Sequence, residues 1–297
     1  MRRLVRATAL LSAAIWLAGL SGPATAQAPS APPAAPAELA NKLIEIAYIE
    51  PTNAEHRPLY ERLKQRQVLE QLRQFLAPLQ LPRKLKVQLR GCRGSVNAWY
   101  SNYEVTLCYE YVSWIEDLAP KENTPEVTRE DAIVGPFIQV VLHEVSHAVF
   151  DILQIPLFGR EEDAADQLAA FIMLQFGKDV ARRTLTGTAH LYRRDAQANA
   201  PTDDDFSDVH GTAAQRFYNT LCIAYGGDPN TFNDFVQNRI LPKFRADVCA
   251  REYRQVLYAF RKLIVPYIDL ELMKKVQSMD VLKADDGRLD PPGPPQR

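Results

Sequence analysis

Hydrophobic and polar residues follow two different periods along the chain, and the shorter period predicts a small sheet. Residues 43–49 alternate between two faces, which is typical of a strand, and residues 84–89 predict a second strand. Residues 97–100 and 105–109 are rich in β-branched and aromatic residues on either side of a polar turn. We therefore predict that these last two segments form a pair of strands.

The longer period predicts helices over most of the remaining chain. Apolar residues recur at helical spacing from Pro58 to Ala77, and Pro78 follows. Thr128 and Asp131 resemble a capping box ahead of Pro136, which suits a first helical turn. The further predicted helices cover residues 136–153, 161–177, 212–225 and 246–265. A helix-rich α+β fold is the expectation.

The two ends of the chain differ in composition from the middle. Arginines, an apolar run and then Ala24-Thr25-Ala26 predict a signal peptide over residues 1–26, because the apolar run is too short for a membrane span. Prolines crowd residues 27–37 and 283–297, which we interpret as a linker and a disordered tail. Residues 38–282 contain no further proline-rich linker or repeat and are predicted to form one domain.

Charge and cysteine content exclude some classes of protein. The 297 residues carry 35 Lys and Arg against 36 Asp and Glu, so the chain lacks the basic surplus that nucleic-acid binding requires. Removal of residues 1–26 takes away three arginines and leaves a mildly acidic chain. None of the four cysteines lies in a CxxC pair, which argues against a zinc ribbon or a thioredoxin-type site.

The pattern HExxH at residues 143–147 carries the clearest chemistry. His143 and His147 are four residues apart, so a helix places both imidazoles on one face, where they can bind one metal ion. Glu144 then flanks the open position of that ion and is a candidate general base for a water molecule bound to zinc. The alternative is a pair of histidines satisfied by ordinary hydrogen bonds, so a third ligand is the deciding feature.

An acidic helix start provides that third ligand. Glu162 follows His147 by fifteen residues, and a turn through Pro156 would fold its helix back against the first. Asp166 lies one helical turn further on and is predicted to accept the free ring N–H of a ligand histidine. Glu161 and Asp163 are competing ligands, and acids also favour a helix start for electrostatic reasons alone.

With HExxH followed by ExxAD, the sequence resembles the gluzincin metallopeptidases, and residues 143–168 are similar to an uncharacterised bacterial family of metallopeptidases. The resemblance extends over most of residues 43–265. It implies a zincin-like fold, with Zn²⁺ held by His143, His147 and Glu162 and with Glu144 as general base. It further implies that Asn97 and Ala98 lie on an edge strand that binds the substrate backbone above the His143 helix. The interval between His147 and Glu162 is shorter than in thermolysin-like enzymes.

Other polar residues give weaker signals. His210 is a candidate donor to the oxyanion that forms during peptide hydrolysis, with a purely structural hydrogen bond as the equal alternative. Tyr218 is a less supported candidate for the same role. The acidic run at residues 203–205 lacks the spacing of a calcium loop and is predicted to be solvated. His56 and His190 lie among polar residues and are predicted to face water.

The four cysteines are expected to be oxidised in an exported protein. Cys92 and Cys108 flank the predicted strand pair, whereas Cys222 and Cys249 lie on two predicted helices. Among the three possible connectivities, this placement favours the bridges Cys92–Cys108 and Cys222–Cys249.

The sequence therefore predicts a periplasmic or secreted zinc metallopeptidase that acts on a peptide or protein, with no nucleic-acid partner and no membrane span after signal cleavage. Two other classes stay open. The first is another zinc hydrolase, of the amidase or deformylase type, and the second is a non-catalytic zinc-binding protein. The oligomeric state is not predicted.

Overall fold

The computed structural model describes residues 41–278, so the predicted signal peptide, linker and tail lie outside the described residues. The strands of this part are β1 (Ile44–Tyr48), β2 (Leu85–Arg90), β3 (Ala98–Ser101) and β4 (Glu104–Cys108). The helices are α1 (Arg57–Gln65), α2 (Val68–Leu76), α3 (Tyr109–Leu118), α4 (Arg129–Ile152), α5 (Glu161–Met173), α6 (Lys178–Ala198), α7 (Asp203–Ser207), α8 (Ala213–Gly227), α9 (Asn233–Gln237), α10 (Lys243–Leu263) and α11 (Leu270–Ser278). The predicted helix-rich α+β fold is confirmed.

The four strands form one mixed sheet in the order β1-β2-β4-β3. β1 pairs parallel with β2, and β2 pairs parallel with β4, whereas β3 runs antiparallel to β4. Leu85, Val87, Leu89 and Val105 are fully buried, as expected for central parallel strands. β3 is an edge strand and contacts α4. The order of the strands therefore leaves one free strand edge beside the helix that carries HExxH.

The predicted strand pair is present as a tight hairpin. Ala98 faces Leu107, and Ser101 faces Glu104 across the turn. Asn102 and Tyr103 both have positive φ, at 51° and 64°. Two left-handed residues in a two-residue loop match the twist of the flanking strands, which fixes the register of the edge strand β3.

The single helix predicted from Pro58 to Ala77 is wrong, because the chain forms two helices there. α1 ends at Gln65, and Gln67 is left-handed with φ 52°. The backbone N–H of Leu69 donates to the Tyr48 hydroxyl of β1 at 2.7 Å. A contact with the sheet thus caps a new helix start at a point where the apolar spacing itself continues without a break.

The central helix α4 begins earlier than predicted. The Thr128 side chain accepts from the Asp131 backbone N–H at 3.0 Å, so the helix starts at Arg129 and Pro136 lies inside it. By length and composition this helix could cross a membrane, but 72% of its apolar window is buried inside the protein. It packs against α3, α5 and α6 and is the core helix of the fold.

Two smaller expectations also change. His56 is only 9% exposed and packs against Tyr109, so the prediction that it faces water is wrong. His190 is half-buried, with Nε2 inside the protein. In contrast, the prediction that the acidic residues 203–205 are solvated is confirmed, because they start the short helix α7 and are exposed. Polar neighbours in the sequence are therefore a poor guide to the exposure of His56 and His190, because burial depends on which elements pack against each other.

Candidate metal centre

The two histidines of HExxH meet a glutamate from the next helix. α4 places the Nε2 atoms of His143 and His147 3.2 Å apart. The chain reverses between α4 and α5 through left-handed Gln154 and through Gly159 with φ 102°. As a result, Oε2 of Glu162 lies 2.9 Å from Nε2 of His143 and 3.2 Å from Nε2 of His147. The three side chains predicted as metal ligands therefore meet at one point.

The second nitrogen of each of these rings contacts a carboxylate. Nδ1 of His143 lies 2.9 Å from Asp166, and Nδ1 of His147 lies 2.7 Å from Glu161. A carboxylate accepts the Nδ1–H of a neutral imidazole, which leaves a lone pair on Nε2. Glu161, a competing ligand in the sequence, thus lies on the far side of the His147 ring, and Asp163 pairs with Arg160 at 3.1 Å.

The separation of the three donor atoms fits a small metal ion. Zinc binds histidine and carboxylate at about 2.0–2.2 Å, so two tetrahedral ligand atoms lie about 3.3 Å apart. The distances of 2.9–3.2 Å among the donor atoms are close to that value. Cys92, Cys108 and Glu110 form a second close group among the described residues, but both sulfur atoms are in a disulfide and offer no thiolate.

Asp166 is held from the other side by Arg216. The guanidinium of Arg216 donates from Nε and Nη2 to the two carboxylate oxygens, each at 2.7 Å, and Gln139 donates to Oδ1 at 2.8 Å. Burial alone would raise the pKa of Asp166, but Arg216 and His143 outweigh it and hold that pKa well below its usual range. Asp166 is therefore a buried carboxylate that stays ionised behind His143.

Glu144 is buried next to the cluster. Burial raises the pKa of its carboxyl group, while the charges of His143 and His147 act in the opposite direction. A carboxylate with a raised pKa is a stronger base than an exposed one. This environment suits a group that must take up a proton and release it again.

His210 joins the cluster from the loop before α8. Its Nε2 lies 2.9 Å from Oε2 of Glu162, and its Nδ1 lies 2.8 Å from Asp208. Arg160 donates to the carbonyl oxygen of His210 at 3.2 Å and so ties the loop to the start of α5. The structure thus brings His210 to the predicted site from a position more than sixty residues along the chain from His147.

Asn97 and Ala98 lie at the free edge of the sheet. Asn97 is exposed, Ala98 starts β3, and the Asn97 carbonyl accepts from the backbone N–H of Cys108 at 3.2 Å. The Tyr100 hydroxyl donates to Asp151 of α4 at 2.6 Å, which fixes β3 against the HExxH helix. The strand is placed beside α4, and its role in substrate binding stays a prediction.

Both predicted disulfides are present, Cys92–Cys108 and Cys222–Cys249. The first joins the loop after β2 to the end of β4, and the carboxylate of Glu110 accepts from the backbone N–H groups of Cys92 and Gly94 in the same loop. The second joins α8 to α10. Disulfides persist in oxidising compartments, so the two bridges point to such an environment.

Sequence reasoning missed four residues of this cluster in their present roles: Gln139, Glu161, Asp208 and Arg216. Gln139 lies one turn before His143 on α4, so helical spacing places it on the same face. Arg216 is separated from Asp166 by fifty residues. No local sequence pattern links two residues so far apart, so the sequence carried no signal for this contact.

Comparison with known proteins gives one family. Residues 48–264, more than two-thirds of the chain, match the model of a protein family described as "Putative metallopeptidase". No curated protein and no solved structure matches the chain. The matched segment includes every residue of the cluster described above.

Proposed function

Because this chain belongs to the family described as "Putative metallopeptidase", we propose that it is an exported zinc-dependent peptidase of the gluzincin type. Family membership and the cluster of His143, His147 and Glu162 support a metal-dependent hydrolase acting on a peptide or protein. The choice of zinc, the gluzincin assignment, the zincin-like fold and the roles of single residues are our inference.

The observation that carries the proposal is the arrangement of the two imidazoles. Both Nδ1 atoms face carboxylates, so in the neutral rings both Nε2 lone pairs point at each other and at the Glu162 oxygen. In this neutral state, three electron-rich atoms about 3 Å apart repel one another unless a proton or a metal ion lies between them. A set of two nitrogens and one carboxylate oxygen is the donor set that zinc prefers in hydrolases.

When bound, zinc would acidify a water molecule and polarise the substrate carbonyl. Glu144 accepts a proton from the attacking water while the oxygen of that water bonds to the carbonyl carbon. The same carboxyl group then gives the proton to the leaving nitrogen as the C–N bond breaks. The raised pKa of Glu144 supports this exchange, because the protonated and ionised forms are closer in free energy than for an exposed glutamate.

We assign His210 to the oxygen that becomes negative in this reaction. Its Nε2 faces the cluster, and Asp208 on Nδ1 stabilises the protonated ring that is needed for donation. The free edge of β3, with exposed Asn97 followed by Ala98, is the proposed binding strand for the substrate backbone. Asp166 orients His143 through its Nδ1.

The test compares Glu144→Gln with His147→Ala. Glu144→Gln should retain zinc in equimolar amount and lose hydrolysis of a mixed peptide library by at least 10²-fold. His147→Ala should lose both zinc and activity. Zinc content is measured on the purified proteins, and cleavage is followed by mass spectrometry.

Other outcomes identify the alternatives. Full activity in zinc-loaded Glu144→Gln would contradict the role of Glu144. Hydrolysis of small amides or formylated peptides without cleavage of internal peptide bonds would indicate an amidase or deformylase. Bound zinc without hydrolysis of any of these substrates would indicate a non-catalytic metal-binding protein.

The export proposal has its own test. The two disulfides and the sequence of residues 1–26 support a periplasmic or secreted location. N-terminal sequencing of the protein from the periplasm or medium should find a chain that starts at Gln27. A chain that retains residues 1–26 in the cytoplasm would contradict the proposal.

A further inference from the structure

A pocket lies between the start of α5, the start of α8 and the start of α10. It is a half-open depression of about 430 Å³, a volume within the range of small-ligand pockets. Tyr218, Pro242 and Phe244 supply its apolar walls. None of the metal-centre residues lines it, so the cluster chemistry leaves this pocket unexplained.

The pocket adjoins the metal centre through Arg160. The Arg160 side chain lines the pocket and also donates to the His210 carbonyl at 3.2 Å. Arg160 directly precedes the helix that carries Glu162. Gln215 and Tyr218 also line the pocket and lie within two residues of Arg216 on α8, which binds Asp166. These contacts join residues that line the pocket to residues of the metal centre.

The walls expose aromatic rings to water. The Phe244 residue is 79% exposed and Tyr218 is 39% exposed. Tyr218, a candidate oxyanion donor in the sequence, lines this pocket, and that role stays a prediction. An apolar group that covers these exposed aromatic side chains removes apolar surface from water, which favours binding.

The two arginines of the pocket are already neutralised. Arg160 pairs with Asp163, and both terminal nitrogens of Arg245 donate to Glu252, at 2.7 and 2.8 Å. Asn219 accepts a further hydrogen bond from Arg245 at 3.2 Å. Because these guanidinium groups have partners, the pocket offers no uncompensated positive charge to a carboxylate. A neutral apolar ligand fits the walls better than an acidic one.

We propose that this pocket is a specificity subsite that takes one large apolar side chain, of the size of Phe or Leu, from a peptide bound at the metal centre. The inference rests on the proposed peptidase function. It adds the substrate class, namely peptides with a bulky apolar residue near the bond that is cleaved.

The test measures binding, so that it does not depend on turnover. Zinc-loaded Glu144→Gln protein is titrated by calorimetry with an alanine-based hexapeptide and with six peptides that each carry one Phe. At one position Phe should tighten binding by about tenfold, as expected for a buried aromatic ring. Adding Phe244→Ala and Tyr218→Ala should reduce that ratio to below twofold. Tyr258→Ala is the matched control, because Tyr258 is an exposed aromatic residue of α10 outside the pocket.

Each remaining outcome overturns the inference. An unchanged Phe-to-Ala ratio in the double variant, a stronger preference for Glu than for Phe, or no measurable binding of any peptide contradicts the subsite. Circular dichroism and the melting temperature verify that the variants are folded. If the protein binds the Phe peptide selectively but the unmodified enzyme cleaves no peptide, the proposed function is contradicted and the subsite stands. If the unmodified enzyme cleaves peptides but the double variant keeps its preference for Phe, the subsite is contradicted and the proposed function stands.

Discussion

Two parallel hydrogen bonds of 2.7 Å join the guanidinium of Arg216 on α8 to the carboxylate of Asp166 on α5. Arg216 also packs over the ring of Tyr192 at 4.6 Å. Asp166 in turn contacts Nδ1 of His143, so the arginine lies directly behind the candidate metal centre. The pair therefore contributes both to the packing of two helices and to the orientation of a ligand.

Removal of this arginine should destabilise the protein strongly. Arg216→Gln leaves Asp166 buried without its charge partner, which we expect to cost about 3–5 kcal/mol in the free energy of unfolding. Urea denaturation of the metal-free protein measures this cost. Arg182→Gln is the control, because Arg182 makes an equally short pair with Asp234 at a half-exposed position and should cost less than about 1 kcal/mol. Equal losses in the two variants would contradict the prediction.

The carboxylates behind the two ligand histidines should differ in their effect on zinc. Asp166→Asn removes a buried charge next to His143 and should weaken zinc binding by about 10- to 100-fold. Glu161→Gln should weaken it less than about threefold, because the Glu161 side chain is 52% exposed and its charge is screened by water. Competition with a chelator of known affinity measures both values. A larger effect at Glu161 would show that this ranking by burial is wrong.

Zinc binding should depend on pH through the histidines. Burial lowers the pKa of His147, but Glu162 and Glu161 outweigh it and raise that pKa to about 9 in the metal-free protein. Protonated His147 cannot bind zinc, so the apparent affinity should rise about tenfold per pH unit for each proton released, up to about pH 9. The raised pKa also stabilises the metal-free fold below the unfolded pKa near 6.5, and this stability is lost as pH rises through 9.

Calorimetry in buffers of different ionisation enthalpy counts the protons released on zinc binding. At pH 7.5 at least one proton should be released per zinc. The His147→Ala variant, which should not bind zinc at this site, gives the heat of dilution and of non-specific binding under the same conditions. An affinity that is constant between pH 6.5 and 9 would contradict the shifted pKa.

The packing of α6 on α4 requires a glycine. A Cβ atom at Gly187 would lie 1.8 Å from the carbonyl oxygen of Asp131. Gly187→Ala should therefore lower the free energy of unfolding by about 1–3 kcal/mol, although alanine usually stabilises a helix interior. Thermal denaturation measures the difference. Gly91→Ala is the control, since a Cβ there meets nothing within 4 Å, and a Gly187→Ala protein as stable as this control would contradict the close packing.

Local patterns predicted much of the fold and the core of the site. The hairpin β3–β4 follows from two short apolar segments around a polar turn, and the start of α4 follows from Thr128 once its capping contact is considered. The prediction failed at Gln67, where the Tyr48 hydroxyl from β1 caps a new helix. Such a cap involves residues about twenty positions apart, and periodicity within one helix carries no information about it.

The sequence by itself determined that His143 and His147 share one face of a helix, because a separation of four residues fixes their relation through the geometry of the helix alone. It also determined that an acidic helix start follows closely enough to meet them. Only the tertiary structure decided that Glu162 faces both Nε2 atoms while Glu161 faces the back of His147. It also brought Arg216 and His210 to the same cluster. These contacts arise from the packing of α5 and α8 against α4, and packing between distant segments depends on the shapes of whole helix faces.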